Sequence, residues 1–297
     1  MAFLNLIRWK NLTIIVFMAM TIRYALLPGF GQKPSIGLPY YLLLILTVVC
    51  LAAAGHIINA IFNVTTDSIN KPNKIIIDQV IKRRIAFKLY FGLNVLGLFT
   101  ILFILLSNPS KSLWIVFSIC VLSPIALAIY SIWLKKIALL GNILISILVG
   151  ASIFCFGLAL VDNDQSPVFY FTILTYALLG FSLNLSRELI KDVEDLRGDY
   201  YCKMKTLPIL IGRKRSNHII FGLLTFTILI LLTILLNYFL SLNIFIFYVF
   251  VFVLIPLILI SKRILKAKNQ KDYTSISFHL KLVFLIGISS MFTFLNL

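Results

Sequence analysis

Nine stretches of this chain stay apolar for about 20 residues, the length a helix needs to cross a hydrocarbon layer. They run near 11–28, 38–62, 87–106, 112–133, 137–161, 168–190, 217–238, 242–261 and 276–296. Inside a bilayer every backbone N–H and C=O must be paired within the protein, which leaves helices and closed barrels. Continuous runs of this length read as helices rather than alternating strands. The sequence therefore predicts an all-α membrane protein, with residues 1–297 forming a single integral membrane domain. The composition agrees: 61% of residues are apolar and 12% charged, where a soluble domain carries about 25% charged residues. The first run follows Arg8 and Lys10 and lacks a small-residue cleavage site, so it is expected to stay as a spanning helix.

A net charge of +17 invites a nucleic-acid reading, but its placement points elsewhere. With the N-terminus in the cytoplasm, all but four of the 27 lysines and arginines fall in cytoplasmic segments. Lys33 and Lys111 lie on the opposite side, and Arg23 and Lys281 lie within spans. This is a strong positive-inside pattern; it places the C-terminus across the membrane, with lipids and not nucleic acid as surroundings. Cys50, Cys120, Cys155 and Cys202 show no CxxC or Cys/His spacing, so they read as small buried residues rather than a metal site.

The ten acids carry more information, because positive-inside sorting gives acids no reason to gather. Asp162 and Asp164 fall outside; the other eight lie at cytoplasmic helix ends or loops. Glu188, Asp192, Glu194, Asp195 and Asp199 crowd into the single stretch RELIKDVEDLRGD. Asp192, Asp195 and Asp199 are spaced to share one helix face, which Glu188 extends. A second ladder precedes it in NAIFNVTTD, where Asn59, Asn63 and Asp67 recur every four residues. Both ladders end spans that face the same side. Carboxylates on adjacent helices repel unless a cation sits between them, and Mg2+ with oxygen ligands and substrate phosphates is a usual solution. Lys71, Lys74, Lys135, Lys136, Arg187, Lys191 and Lys205 are the nearby cations suited to phosphate. A diphosphate clamp at the mouth of an apolar bundle suits a lipid-tailed diphosphate. Arg23, a charge within a span, is a functional candidate by default. His56 reads as a structural polar residue, and Glu188 and Glu194 as solvated or supporting groups.

At this point the sequence resembles the UbiA superfamily of intramembrane prenyltransferases. NAIFNVTTDSINKP resembles the first family motif through Asn59, Asp67, Asn70, Lys71 and Pro72, and RELIKDVEDLRGD matches the second nearly completely. KTLP from Lys205, YSIWLKK from Tyr130, GNILISILVG from Gly141 and LIRWKN from Leu6 also fit, so the likeness spans the whole chain. It implies a nine-helix bundle around a central cavity with a cytoplasmic polar cap. It also implies Mg2+-dependent transfer of a polyprenyl group from an allylic diphosphate to a lipid or aromatic acceptor, through an allylic cation. On this likeness Asn59, Asn63 and Asp67 hold one Mg2+ and Asp192, Asp195 and Asp199 the other. Lys71, Lys135, Lys136 and Lys191 hold the diphosphate, Arg8 and Asn11 meet the acceptor, and Asp67, Asp195 and Asp199 carry catalysis. The wording of the motifs is nearest to the geranylgeranylglycerol-phosphate geranylgeranyltransferase-like branch.

The first motif departs from the family. Ala60 stands where an Asp usually follows the first Asn, and Asn63 replaces a metal-binding Asp. Asn63 keeps a carbonyl oxygen for a metal but loses a charge. Two alternatives follow: a degenerate fold that binds isoprenoid diphosphate without turnover, or a quinone-head prenyltransferase. A CDP-alcohol phosphotransferase is excluded by the lack of D-G-x-x-A-R. A transporter would bury its acids within spans.

Overall fold

A computed structural model describes residues 1–72, 75–161, 167–237 and 243–296 of the chain. Lys74, Asp162 and Asp164 lie outside the described residues. Among those residues nine helices are long and apolar enough to span a membrane. They are α1 (Trp9–Gly29), α2 (Leu38–Phe62), α3 (Arg83–Ser107), α4 (Lys111–Ile132), α5 (Leu140–Leu158), α6 (Pro167–Glu194), α7 (Arg213–Leu236), α8 (Ile244–Lys266) and α9 (Gln270–Leu295). The nine expected runs correspond to these nine helices in order. Several helices outrun their apolar stretch at the basic end: α3 begins at Arg83, α7 at Arg213, and α6 continues to Glu194. Charged side chains do not stop a helix whose backbone bonds are already satisfied; they only leave the apolar layer. The fifth run starts later than expected, because Leu134–Lys136 form a 3-10 turn and Leu139 takes a positive φ of 66° before α5.

Six helices close a ring. α1 packs on α2, α2 on α4, α4 on α5, α5 on α6, α6 on α9, and α9 returns to α1. α3 braces α2 from outside, while α7 and α8 brace α6 and α9. The α5–α6 contact is close because glycines sit at it: a Cβ on Gly150 would lie 2.8 Å from the Ala177 carbonyl oxygen. Small residues allow this approach where lipid offers no hydrophobic drive between helices. Outward faces expose Phe91, Val95 and Phe99 on α3 and Phe226 and Leu229 on α7, apolar surface that suits acyl chains.

Arg23 sits in a π-helical turn of α1 and is buried. Its Nη1 donates to the Ile36 carbonyl at 3.1 Å, and its guanidinium lies 5.0 Å from the Tyr41 ring centre. It is satisfied by backbone and aromatic partners away from the acidic ladders, so its role is structural. Arg23→Leu is expected to cost about 2 kcal/mol of stability. A lowered thermal midpoint in detergent, with unchanged affinity for the substrate proposed below, would establish this.

Candidate active site

Each polar ladder begins on a spanning helix and ends on a short one. α2 stops at Phe62, and Asn63 turns the backbone (φ −100°, ψ 2°) before the helix Val64–Asn70. α6 stops at Glu194, and Asp195 does the same (φ −94°, ψ 8°) before Leu196–Tyr201. The expectation of an unbroken helix face is thus corrected at the middle position of both ladders. The breaks are partial. The Asp67 N–H still reaches the Asn63 carbonyl at 2.8 Å, and the Asp199 N–H reaches the Asp195 carbonyl at 3.2 Å. Four-residue stacking survives while the axis bends. Such bridge-region backbone is sparse in proteins and recurs at active sites.

Asn70 ties the two motifs together. Its Oδ1 accepts from the Gly198 N–H at 2.9 Å, and its Nδ2 donates to the Asp195 carbonyl at 3.0 Å. Gly198 is required by proximity, since a Cβ there would collide with the Asn70 amide. Beside this clamp, Lys71 Nζ lies 2.8 Å from Asp195 Oδ1, donates to Oδ2 at 3.1 Å, and approaches Glu194 Oε1 at 3.5 Å.

The ladders meet at the mouth of a cavity of about 1270 Å³ enclosed by the six-helix ring. From the first ladder Asn59, Asn63 and Asp67 line it, followed by Lys71. From the second come Lys191, Asp192 and Asp195. Arg8 and Asn11 enter from the α1 side and Lys135 from the 3-10 turn. Two expected residues stand apart. Asp199 is buried, 3% exposed, behind the lining, where Lys135, Asp195 and Lys71 act on it. Lys136 is exposed and points away from the lining; its carbonyl accepts the Lys205 N–H at 2.8 Å, and Lys205 is exposed as well. Deeper, the cavity wall turns apolar through Met18, Leu51, Cys120 and Cys155.

Some contributors escaped the sequence reading. Asn142 donates through Nδ2 to Asp192 Oδ2 at 3.0 Å, fixing that carboxylate from α5. Its signal was an amide within the apolar run GNILISILVG, since buried amides in spans tend to serve partners. Glu188 is held by Lys191 at 2.7 Å and Arg187 at 3.2 Å, which makes it an internal counter-ion rather than a solvated acid.

Electrostatics follow from burial. Burial lifts the Asp67 carboxyl above its ordinary range against the pull of Lys135 and Arg8. Burial likewise pushes Asp199 up to about 6, although Lys135 opposes it. Burial holds the Lys135 ammonium below its ordinary value, with Asp199 and Asp67 pulling the other way. Burial also works against Lys71, but Asp195 outweighs it and the net shift is upward. These carboxylates are costly to ionise alone, and a divalent cation would reverse that preference.

Among the described residues no three His, Cys, Asp or Glu side chains stand close enough to hold a metal by themselves. The donors present are amide and carboxylate oxygens, and the buried Asp195 Oδ1 has the Lys71 ammonium at 2.8 Å as its ion-pair partner. That set fits Mg2+, which keeps several waters and shares one or two carboxylates with substrate phosphates instead of filling a protein cage. Asn63 Nδ2 donates to Asn59 Oδ1 at 2.7 Å. The first ladder therefore offers one carboxylate, Asp67, and an amide pair partly spent on itself.

The profile of the UbiA prenyltransferase family matches residues 13–285. The chain belongs to that family. Among curated relatives, the digeranylgeranylglyceryl phosphate synthases of Thermococcus kodakarensis and Pyrococcus horikoshii are 31% and 32% identical over 186 residues. Those alignments take in 62% of this chain and 62% of each relative, so the likeness spans under two thirds of their length. The Korarchaeum cryptofilum protein of the same name is 28% identical over 239 residues, 80% of this chain and 79% of its own. A solved structure described as digeranylgeranylglyceryl phosphate synthase in membranes superposes with a TM-score of 0.65 at 25% identity, covering 100% of this chain and 98% of that one. A UbiA homolog from Archaeoglobus fulgidus, bound to GPP and Mg2+, shares the fold with a TM-score of 0.62 at 18% identity, covering both chains fully. The UbiA fold is thus established independently of the motifs.

Within the UbiA family frame, Asn63 has a measurable consequence. Asn63→Asp restores a charge and breaks the donor contact to Asn59. Ligand charge is a principal lever on divalent affinity. For the Mg2+ that this donor set fits, the variant is expected to lower the half-saturating concentration, read by calorimetry, by about threefold or more.

Proposed function

We propose that this protein transfers a prenyl group from an allylic diphosphate to a lipid acceptor. The observation that carries the reading is one cavity of about 1270 Å³, polar and doubly laddered at its mouth and apolar at depth. Only an amphiphile with an anionic head and a long apolar tail matches both ends of such a space. Lys71, Lys135 and Lys191 are positioned to hold diphosphate oxygens. Asn63, Asp67, Asp192 and Asp195 would hold Mg2+, with Asn59 locking the Asn63 amide and Asp199 supporting from behind. Bound Mg2+ would supply neutralisation of the charge that builds on the departing diphosphate. The apolar wall excludes water, which would otherwise capture an allylic cation before the acceptor does. The Mg2+ and GPP in the Archaeoglobus fulgidus homolog support this assignment by analogy of fold.

The names of the relatives favour a glycerophosphate lipid over an aromatic acceptor. The intact second ladder, with Asp192 fixed by Asn142 and Asp195 by Lys71, favours turnover over binding alone. The one-sided distribution of lysine and arginine supports a cytoplasmic mouth, with the N-terminus cytoplasmic and the C-terminus opposite. The test is product formation. Purified protein is given labelled geranylgeranyl diphosphate, Mg2+ and either a glycerol 1-phosphate prenyl ether or a phenolic acceptor. A doubly prenylated glycerol lipid, lost on chelation, is the expected product. Absence of any prenylated product, whatever the acceptor, would refute transfer.

A further inference from the structure

The cavity contains a second charged region that the diphosphate does not account for. Lys281 projects from within α9 and donates to Asn11 Oδ1 of α1 at 2.7 Å. The charged groups that act on it are Arg187, Lys10 and Arg8, all cations. Each of these side chains lines the same cavity. Among the described residues no carboxylate lies within ion-pair distance of Lys281, Arg8 or Lys10; Glu188 is already engaged by Arg187 and Lys191, and Asp67 acts on Arg8 only from further off. Arg187 Nε is buried and has no hydrogen-bond partner. Arg8 holds a left-handed backbone (φ 53°), a conformation that strains a residue with a side chain.

Lys281 is distinct from the diphosphate set, and Arg8, which also pulls on Asp67, lies between the two regions. Lys71 and Lys135 are under the influence of Asp67 and Asp195, whereas none of the ladder aspartates acts on Lys281. Lys281 is half-buried and Arg187 keeps a buried unpartnered Nε beside the exposed Arg8 and Lys10, and cations gathered this closely at an apolar wall are costly unless an anion joins them. Two guanidinium forks and an ammonium supply more charge and more donors than one monoanion can use, and they suit a phosphate. We infer that Lys281, Arg187 and Arg8 form a second anion site that takes the phosphate monoester of the lipid acceptor. The inference rests on the transfer reading above and deepens it, because it makes the acceptor's phosphate a recognised group. Asn11 is a positioning residue, fixing the Lys281 ammonium.

The test uses the full protein in nanodiscs of neutral lipid. Rates are measured with geranylgeranyl diphosphate against a prenyl glycerol 1-phosphate ether and against its dephosphorylated alcohol. The parent is expected to prefer the phosphate by about a hundredfold in kcat/KM. Lys281→Met should raise the acceptor KM about tenfold or more and leave the donor KM within about twofold, while Lys281→Arg restores most of the loss. Equal use of the alcohol, or a change confined to the donor KM, would overturn the assignment. Binding is read separately by thermal shift without donor. Protection by the phosphate lipid but not the alcohol, lost in Lys281→Met, is expected. Equal protection by inorganic phosphate alone would make this a free-phosphate site and overturn the acceptor reading. Mg2+-dependent binding of a thiodiphosphate donor analogue reports on the proposed function by itself. Its failure, with lipid-phosphate protection intact, would sink the transfer reading and leave the anion site standing.

Discussion

Asp67→Ala is expected to reduce Mg2+-dependent turnover about a thousandfold or more. The magnitude follows from how the first ladder is built. Its two amides are joined by the Asn63–Asn59 hydrogen bond, and Ala60 contributes no donor. In the proposed site Asp67 would then be the one anionic ligand that the first ladder offers across the cavity mouth. Removing a single preorganised electrostatic group from an active site costs about a hundred- to a thousandfold. Here the first ladder holds no second acid to substitute, so the upper end or beyond is expected. Asp78→Ala is the control: Asp78 pairs with Arg83 at 3.3 Å and is absent from the cavity lining. Steady-state diphosphate release reads both variants. A loss under tenfold for Asp67→Ala would mean that the first ladder is not part of the reacting site.

Gly198→Ala carries the second large effect, and it acts through geometry rather than charge. Asn70 reads Gly198 and Asp195 at once. A methyl group at 198 meets the Asn70 side-chain amide, which can move aside only by giving up its two hydrogen bonds to Gly198 and Asp195. The clamp opens, and the two ladders lose their register. Misplacement of catalytic groups by about 1 Å can cost a hundredfold, so a loss of that order in kcat/KM is expected. Asn70→Ala should cost about as much by removing the same two hydrogen bonds. The double variant should be no worse than either single one, because the clash and the clamp are one interaction. Additive losses would show that Asn70 and Gly198 act independently.

The spans were legible because hydrocarbon thickness writes itself into sequence as run length. Leu38–Phe62 matched residue for residue, while α6 ran on to Glu194, since polarity ends the apolar layer and not the helix. The ladders were legible as spacing. The bends at Asn63 and Asp195 were not, because four-residue spacing is the same on a straight and a kinked axis. Asn70 read only as a position of the first motif; its partner Gly198 is 128 positions away, and no local pattern connects them. Lys135 and Lys136 look equivalent in sequence, yet a 3-10 turn sends one into the cavity and the other to the surface. Lys281 was visible only as a charge inside a span, and its meaning depends on α9 lying beside α1.

The most direct measurement is calorimetric titration of a non-reactive geranylgeranyl thiodiphosphate into the parent, Asp67→Ala and Asp195→Ala proteins, with and without Mg2+. If both ladders serve one metal–diphosphate site, the parent binds the analogue tightly only with Mg2+. Either substitution then weakens that binding by at least about tenfold, a loss of about 1.4 kcal/mol. Binding that ignores Mg2+, or that survives both substitutions unchanged, would contradict a shared site and leave the two ladders as separate features of the membrane surface.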